Sequence, residues 1–124
     1  MQNYRDLKVW EKSHKLTLEV YKITKAFPSS ETYGLTSQLR RSVSSIPTNI
    51  AEGCGRHTAL DFANFLQNSL GSANEVDYLL LLSKDLEYLD ATKFIELETK
   101  INEIRAMLIA LIKKVRGVQA TYNL

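Results

Sequence analysis

The sequence predicts an all-α fold: an antiparallel up-down-up-down bundle of four helices, forming one domain over residues 1–124. Three observations lead to this prediction. The chain has only two prolines and five glycines, few for an all-β fold, which needs a turn every 8–12 residues or about that. Apolar residues recur every three or four positions in four segments, as on the buried face of a helix. The connections between these segments are short, which makes consecutive helices antiparallel neighbours.

The first predicted helix spans residues 6–27 and ends before Pro28, which cannot continue it. Its apolar stripe consists of Val9, Leu16, Val20, Ile23 and Phe27. The serines in the following "FPSSE" are suited to cap the second helix.

The second predicted helix spans residues 33–53 and contains a proline within its apolar stripe. The stripe consists of Leu35, Leu39, Val43, Ile46 and Ile50. Because Pro47 lacks an N–H and clashes with the carbonyl four residues earlier, we expect a kink at Pro47 and a free carbonyl at Val43. A water, a hydroxyl or a neighbouring chain would then meet that acceptor.

The third and fourth predicted helices span residues 59–89 and 91–116. Thr58 with Asp61 matches a capping box at the start of the third helix, and Asp90 is placed to cap the fourth. The last turn of the fourth helix carries three basic residues that suit the helix dipole: Lys113, Lys114 and Arg116.

Two segments, "YLLLL" and "MLIALI", spread apolar side chains around most of the helix circumference. A helix that is apolar on two faces is usually covered on two faces, so we expect a subunit interface here. The predicted interface residues are Tyr78, Leu79, Leu80, Leu81, Leu82, Met107, Ile109 and Ile112. The alternative is a broad core stripe within one bundle. Gly71, Ser72 and Ala73 are small and would let another helix approach the third one closely.

Nothing in the sequence predicts catalysis. Neither histidine belongs to a metal-binding or nucleophile motif; we expect His14 to be partly buried and structural, and His57 to be exposed. The single cysteine, Cys54, excludes an intrachain disulfide, and a small semi-buried side chain fits it better than an activated thiol. An enzyme would need a closed polar pocket around His14 or Cys54. The sequence therefore predicts no enzyme activity, cofactor, metal site or small-molecule substrate.

The sequence also predicts a soluble, cytoplasmic protein with no membrane partner. The N-terminus has no uncharged stretch of signal-peptide length. The longest apolar run, residues 78–82, is far shorter than the roughly 20 residues that a bilayer span requires.

The net charge of +2 is too small to indicate a nucleic-acid partner by itself, but it is unevenly distributed. Residues 1–57 carry nine basic and five acidic groups, residues 58–92 one basic and six acidic, and residues 93–124 six basic and three acidic. Such asymmetry suits a recognition surface or a head-to-tail assembly that closes into a ring. The predicted nucleic-acid-binding residues are Arg40, Arg41 and Arg56, because guanidinium groups match phosphate oxygens.

The segment "SIPTNIAEG" (45–53) combines the proline with polar side chains. Asn49 lies on a flank of the helix, where its amide can bridge to another helix. Glu52 lies near the helix C-terminus, where a carboxylate opposes the dipole, so we expect a basic partner: one of the three arginines or a base of another subunit. The alternative is a purely structural kink and corner.

This segment also carries a resemblance to a known family. "QLRRSVSSIPTNIAEGCGR" (38–56) resembles the signature of the four helix bundle family named for 23S rRNA intervening sequences. "YRDLKVWEKSHKLTLEVYKITKAFP" (4–28) and "FLQNSLGSANEVDYLL" (65–80) match its other marks. The resemblance covers roughly residues 4–116. It implies a four-helix bundle that assembles into a homopentamer, with no established enzyme activity, and it extends to the nucleic-acid-binding accessory variability proteins of diversity-generating retroelements.

Matched position by position, the family core motif falls on Ser45, Ile46, Pro47, Asn49, Ile50, Ala51, Glu52 and Gly53. Arg41 occupies the basic position ahead of it, and Gly71, Ser72 and Glu75 match the small-and-acidic motif of the third helix. Thr48 stands where serine is frequent and Cys54 where an aromatic is often found. The accessory proteins depend on a strongly basic surface, which a net charge of +2 does not match.

The sequence therefore leaves two functions open. The first is a non-enzymatic homo-oligomer, by resemblance a pentamer, that associates with RNA or another nucleic acid. The alternative is a scaffold that gathers a protein partner.

Overall fold

The computed structural model describes the backbone of residues 2–122 and the side chains of residues 2–117. Its four α-helices are α1 (Lys8–Thr24), α2 (Leu35–Cys54), α3 (Ala59–Asp85) and α4 (Ala91–Tyr122). Short 3-10 turns at Tyr4–Asp6 and Ser29–Glu31 precede α1 and α2. No strand occurs among residues 2–122, and the predicted all-α class is confirmed.

The helices form an up-down-up-down bundle. Each packs against its neighbours in the chain and α4 packs back on α1, whereas the backbones of the diagonal pairs, α1 with α3 and α2 with α4, stay apart. Contacts between neighbours run in opposite chain directions: Ser45 meets Ser72 while Gln38 meets Glu75. The predicted antiparallel arrangement is therefore confirmed.

The core lies along the bundle axis, where apolar stripes of all four helices meet. Its fully buried large side chains are Leu16, Val20, Leu39, Val43, Ile46, Ile50, Leu66, Leu80, Leu97, Ile101, Ile104 and Leu108. None of the helices in residues 2–122 combines the length and apolar character needed to cross a membrane.

The seam between α1 and α4 is the least extensive of the four helix contacts and is closed by charge. Glu19 accepts from the ammonium groups of Lys93 and Lys100 at 2.9 and 2.7 Å, and Lys12 pairs with Glu103 at 2.7 Å. Burial opposes the ionisation of Glu19, but the hydrogen bonds and charges of the two lysines outweigh it and hold its pKa below the ordinary value.

Two helix starts match prediction and one differs. Thr58 accepts from the Asp61 amide at 3.1 Å, and Asp90 accepts from the Lys93 amide at 2.7 Å, as capping residues do. The serines before α2 do not cap it; the Glu31 carboxylate instead accepts from the Leu35 amide at 3.1 Å.

Three helix ends differ from the predicted bounds by three residues or more, and α2 ends one residue later than predicted. α1 stops at Thr24 rather than residue 27, and α4 continues past residue 116 to Tyr122. α3 stops at Asp85 rather than residue 89, because Glu87 adopts a left-handed backbone with φ 67°. The amides of Glu87 and Tyr88 then reach back to the carbonyls of Lys84 and Ser83, both at 2.9 Å, in a Schellman motif.

α2 runs unbroken from Leu35 to Cys54 through Pro47. A break into two separate helices is thereby excluded, whereas the bend expected at Pro47 stays a prediction.

Gly53 allows α2 and α3 to meet closely, and Gly71 does not serve that purpose within the chain. A Cβ on Gly53 would lie 2.9 Å from both Phe62 Cδ1 and Phe65 Cβ, while a Cβ on Gly71 would meet nothing within 4 Å. We expect Gly53→Ala to destabilise the protein by about 1–3 kcal/mol through overpacking. Gly71→Ala should stabilise it by roughly 0.5–1 kcal/mol, since alanine favours a helix interior.

Urea unfolding at one protein concentration measures both free energies. Gly71→Ala is the matched control for the helix propensity of alanine. A Gly53→Ala protein as stable as the Gly71→Ala protein would show that the helices have room to separate.

Candidate nucleic-acid interface

One end of the bundle collects the C-terminal part of α4 and the turn between α2 and α3. In an up-down-up-down bundle α2 and α4 run parallel, so their C-terminal regions share an end with the start of α3. The result is a cavity of about 290 Å³ that includes Arg56, His57, Thr58 and Lys114 in its lining.

The cavity has a basic rim and an apolar floor. Arg56, His57 and Lys114 are exposed. The floor is formed by Cys54, Phe62, Leu111 and Val115. The first turn of α3 opens onto the same end, where Thr58 accepts from the Asp61 amide and the Asp61 carboxylate complements the helix dipole. The basic rim is therefore what suits an anion, and guanidinium groups match phosphate oxygens.

Arg56 is held in place from one side only. Its guanidinium carbon lies 4.4 Å from the centroid of the Phe65 ring. A cation over an aromatic face leaves the N–H edges of the guanidinium free for hydrogen bonds. The ring therefore orients the Arg56 guanidinium while its N–H groups stay available to a ligand.

The other two predicted arginines lie elsewhere. Arg40 donates to the Thr24 hydroxyl at 2.8 Å and to the Tyr21 carbonyl at 3.2 Å, and it stacks on the Tyr21 ring. It thus caps the end of α1 and is engaged within the chain. Arg41 is exposed on the α2–α3 side, beside Ser45 and Ser72. The structure does not bring the three arginines together as one patch.

Lys114 is the residue that sequence reasoning missed. On its own, Lys114 is predicted only to interact favourably with the dipole of α4. The distribution of basic residues along the chain is the signal that could have placed it at this end. Both flanking regions of the chain are basic, and a bundle with α2 parallel to α4 brings the ends of these regions to one place.

On its α3 side the "SIPTNIAEG" segment forms a row of side-chain hydrogen bonds, here called the polar ladder, among Ser45, Asn49, Ser69 and Ser72. The hydroxyls of Ser45 and Ser72 lie 2.8 Å apart, and Ser69 donates to the Ile46 carbonyl at 2.8 Å. Asn49 donates to the carbonyl and hydroxyl of Ser45 at 2.9 and 3.0 Å. The expected bridge from Asn49 to another helix is therefore wrong: its amide stays on α2, and the serine makes the connection.

On the α1 side of the segment, a hydroxyl donates to the carbonyl that Pro47 frees. The Thr17 hydroxyl of α1 lies 3.2 Å from the Val43 carbonyl and 2.8 Å from the Ser13 carbonyl, which share its one hydrogen. Of the three expected partners for the freed acceptor, a hydroxyl is the one found.

Glu52 differs from the rest of the segment. Its side chain is exposed, and no hydrogen bond or ion pair joins its carboxylate to any other described residue, so the expected contact with one of the three arginines is absent. Its carboxylate lies in the last turn of α2, where it opposes the helix dipole.

Of the candidate catalytic side chains, Cys54 is buried and the two histidines are exposed. His14 is exposed rather than partly buried, and its ring stacks on Trp10 with centroids 5.0 Å apart. His57 is exposed, as expected. Cys54 is only 6% exposed, and burial raises the pKa of its thiol. Among the described side chains, no three His, Cys, Asp or Glu residues are grouped so as to hold a metal ion.

The predicted interface residues divide into three groups: buried, half-buried and exposed. Three are buried in the core of the chain itself and are not available to a second copy, which corrects that part of the prediction: Leu79, Leu80 and Ile112. Leu82 and Met107 are half-buried. Tyr78, Leu81 and Ile109 are 60, 39 and 43% exposed, and they remain candidates for an interface.

Comparison with known proteins places the chain among helical relatives. A family model described as "23S rRNA-intervening sequence protein" matches residues 5–110. A crystal structure from Bacteroides thetaiotaomicron, described as a protein with unknown function from the S23 ribosomal protein family, is 28% identical, with a TM-score of 0.78. The alignment covers 85% of this chain and 95% of that one. No curated protein matches the chain.

Thr17→Val tests whether α1 supplies the hydrogen bond that Pro47 removes. Valine keeps the branched shape but leaves the Val43 carbonyl without its donor, so we expect a loss of about 1–2 kcal/mol in the free energy of unfolding. Thr99→Val is the control, because the Thr99 hydroxyl donates only to the Ile95 carbonyl on an exposed face of α4. A loss in the control as large as that at Thr17 would contradict this role.

Proposed function

The chain belongs to the 23S rRNA-intervening sequence protein family, and we propose that it is a non-enzymatic oligomer that binds RNA through the basic end of the bundle. The observation that carries this proposal is the cavity of about 290 Å³ in which Arg56, His57 and Lys114 meet the start of α3. Its chemistry fits the phosphates of the RNA backbone, so the proposed binding is electrostatic and depends little on sequence.

Binding is favoured over catalysis by the state of the cysteine in this cavity. A thiol must ionise to act as a nucleophile, and burial raises the pKa of Cys54. The cavity thus presents positive charge at its rim and a protonated thiol among the apolar side chains of its floor.

Assembly into a homo-oligomer would enlarge the basic surface, since each copy contributes one basic end. Tyr78, Leu81 and Ile109 are exposed apolar side chains of the kind that interfaces cover. A ring of five copies is the arrangement implied by the sequence resemblance, and the charge asymmetry of the chain suits head-to-tail contacts.

A protein-interaction scaffold is the second candidate function. The observation that favours it is a groove between α1 and α2 that contains aromatic side chains and an acidic one and is lined by no Lys or Arg.

RNA binding is tested with single-stranded RNA of mixed sequence in a filter-binding assay at several salt concentrations. Each of Arg56→Ala and Lys114→Ala removes one phosphate contact per chain. The slope of log Kobs against log salt should therefore fall by about 0.7 per contact. Arg41→Ala should weaken retention less than either change, since Arg41 is exposed on the α2–α3 side and not at the basic end.

Lys25→Ala is the matched control, because Lys25 is exposed at the opposite end of the bundle, where α1 ends. Its affinity and salt slope should equal those of the unaltered protein. No retention of RNA at low salt, or an equal effect of Lys25→Ala and Lys114→Ala, would overturn the proposal.

Oligomer formation is tested by light scattering at micromolar protein. We expect the mass of a pentamer, and a smaller species for Tyr78→Lys, which places a charge in the exposed apolar face. Asn68→Lys adds the same charge at an exposed polar position of α3 and should leave the mass unchanged. The mass of one chain, stable on concentration, would refute the assembly.

A further inference from the structure

A groove of about 400 Å³ lies between α2 and the N-terminal part of the chain, and it shares no lining residue with the cavity at the basic end. One wall is aromatic and carries Tyr4, Trp10 and His14. The other wall is a row of polar residues on α2, Ser44, Thr48 and Glu52, spaced four apart and thus on one helix face.

The aromatic wall is continuous. The rings of Tyr4 and Trp10 meet edge to face with centroids 5.0 Å apart, and His14 stacks on Trp10 at 5.0 Å with an interplanar angle of 11°. A cation already lies against it, because the Arg5 guanidinium carbon is 5.5 Å from the Tyr4 centroid. Aromatic faces attract cations, although the Trp10 face that His14 covers is not available to one.

The α2 wall offers acceptors rather than donors. The Ser44 hydroxyl donates to the Arg41 carbonyl at 3.2 Å, and the Thr48 hydroxyl donates to the Ser44 carbonyl at 2.8 Å. Their hydrogens are thus used within the helix, and only oxygen lone pairs face a ligand. The Glu52 carboxylate adds two further acceptor oxygens, and Glu52 is the acidic residue of the groove among the described side chains.

The Glu52 carboxylate is the group of the groove that a cationic ligand would stabilise. Its position in the last turn of α2 is electrostatically unfavourable, and within residues 2–117 no basic side chain compensates it. A cation placed in the groove would reach both an unpaired carboxylate and aromatic faces.

We propose that this groove binds an arginine side chain presented by a partner protein. A guanidinium group is planar and rich in donors, so it stacks on the aromatic wall while its N–H edge bonds the Glu52 carboxylate and the hydroxyl oxygens. A lysine ammonium would pair with Glu52 but stack less well. RNA is the less suitable ligand here, because no Lys or Arg among the described side chains lines the groove to meet a phosphate. The inference does not depend on RNA binding at the basic end.

Trp10 makes the test specific, because it is the one tryptophan in the sequence and it lies in the groove. The probe is a blocked pentapeptide with a central arginine flanked by serine and glycine, titrated into the full chain to millimolar concentration. We expect a saturable change in tryptophan fluorescence. The same peptide with citrulline, a neutral isostere of arginine, should give none, and the lysine peptide should bind more weakly.

Glu52→Gln keeps the shape of the side chain and removes its charge, so it should weaken binding of the arginine peptide by about tenfold or more. Glu98→Gln is the control: Glu98 lies on α4, outside the groove, and its loss should leave the affinity within about twofold. Circular dichroism of both variants verifies that the helices are retained.

Four results would overturn the proposal: no saturable change with the arginine peptide, equal binding of the citrulline peptide, unchanged affinity in Glu52→Gln, or a fall in oligomer mass in that variant. The last would mean that a second copy of the chain covers the groove. A response of Trp10 to AMP that Glu52→Gln leaves intact would identify a nucleobase site instead. RNA retention by the unaltered protein is a separate measurement, so either proposal can fail alone.

Discussion

Helix α2 sets the constraint on which the rest of the bundle depends: it is buried between α1 and α3 and lacks one of its own backbone hydrogen bonds. Pro47 cannot donate to the Val43 carbonyl, and α1 meets that acceptor with the Thr17 hydroxyl. On the opposite side, Ser69 of α3 donates to the Ile46 carbonyl. Across residues 2–117 no buried side-chain polar atom is left without a hydrogen-bond partner. The proline thus requires one hydroxyl from α1, whereas the Ser69 hydroxyl adds a second link between α2 and α3 that the proline does not demand.

The same close packing determines where charge collects. Gly53 brings the end of α2 against Phe62 and Phe65, so the connection to α3 is a short turn that carries Arg56 directly over the first turns of α3. Because α4 runs parallel to α2, Lys114 reaches the same end. The basic end is therefore a consequence of helix order and of one close helix contact, and it needs no unusual net charge.

Helical periodicity was enough to predict the four helices and the stripes that form the core, because that pattern reports burial directly. Periodicity did not predict the features that depend on backbone conformation or on contacts with another helix. The end of α3 depends on a left-handed Glu87, which carries none of the glycine signal that usually marks such a turn. Arg40 looked free for phosphate because its partners, Tyr21 and Thr24, belong to another helix. In "YLLLL", the burial of Leu79 and Leu80 and the exposure of Tyr78 follow from how α3 faces α4, which one helix alone does not show.

These contacts divide the "SIPTNIAEG" segment by role. Ile46, Ile50 and Gly53 pack inside the bundle, while Ser45 and Asn49 form the ladder to α3. Each of these roles would be lost if the helix were taken out of the fold, and each is complete within one chain. Glu52 is the exception in this segment. Its carboxylate opposes the dipole of α2, and no partner among the described residues offsets that unfavourable interaction. Locally unfavourable groups that the fold does not need are where function is expected. The Glu52 carboxylate is therefore the group on which the proposed arginine site depends, and the groove beside it shares no lining residue with the cavity at the basic end.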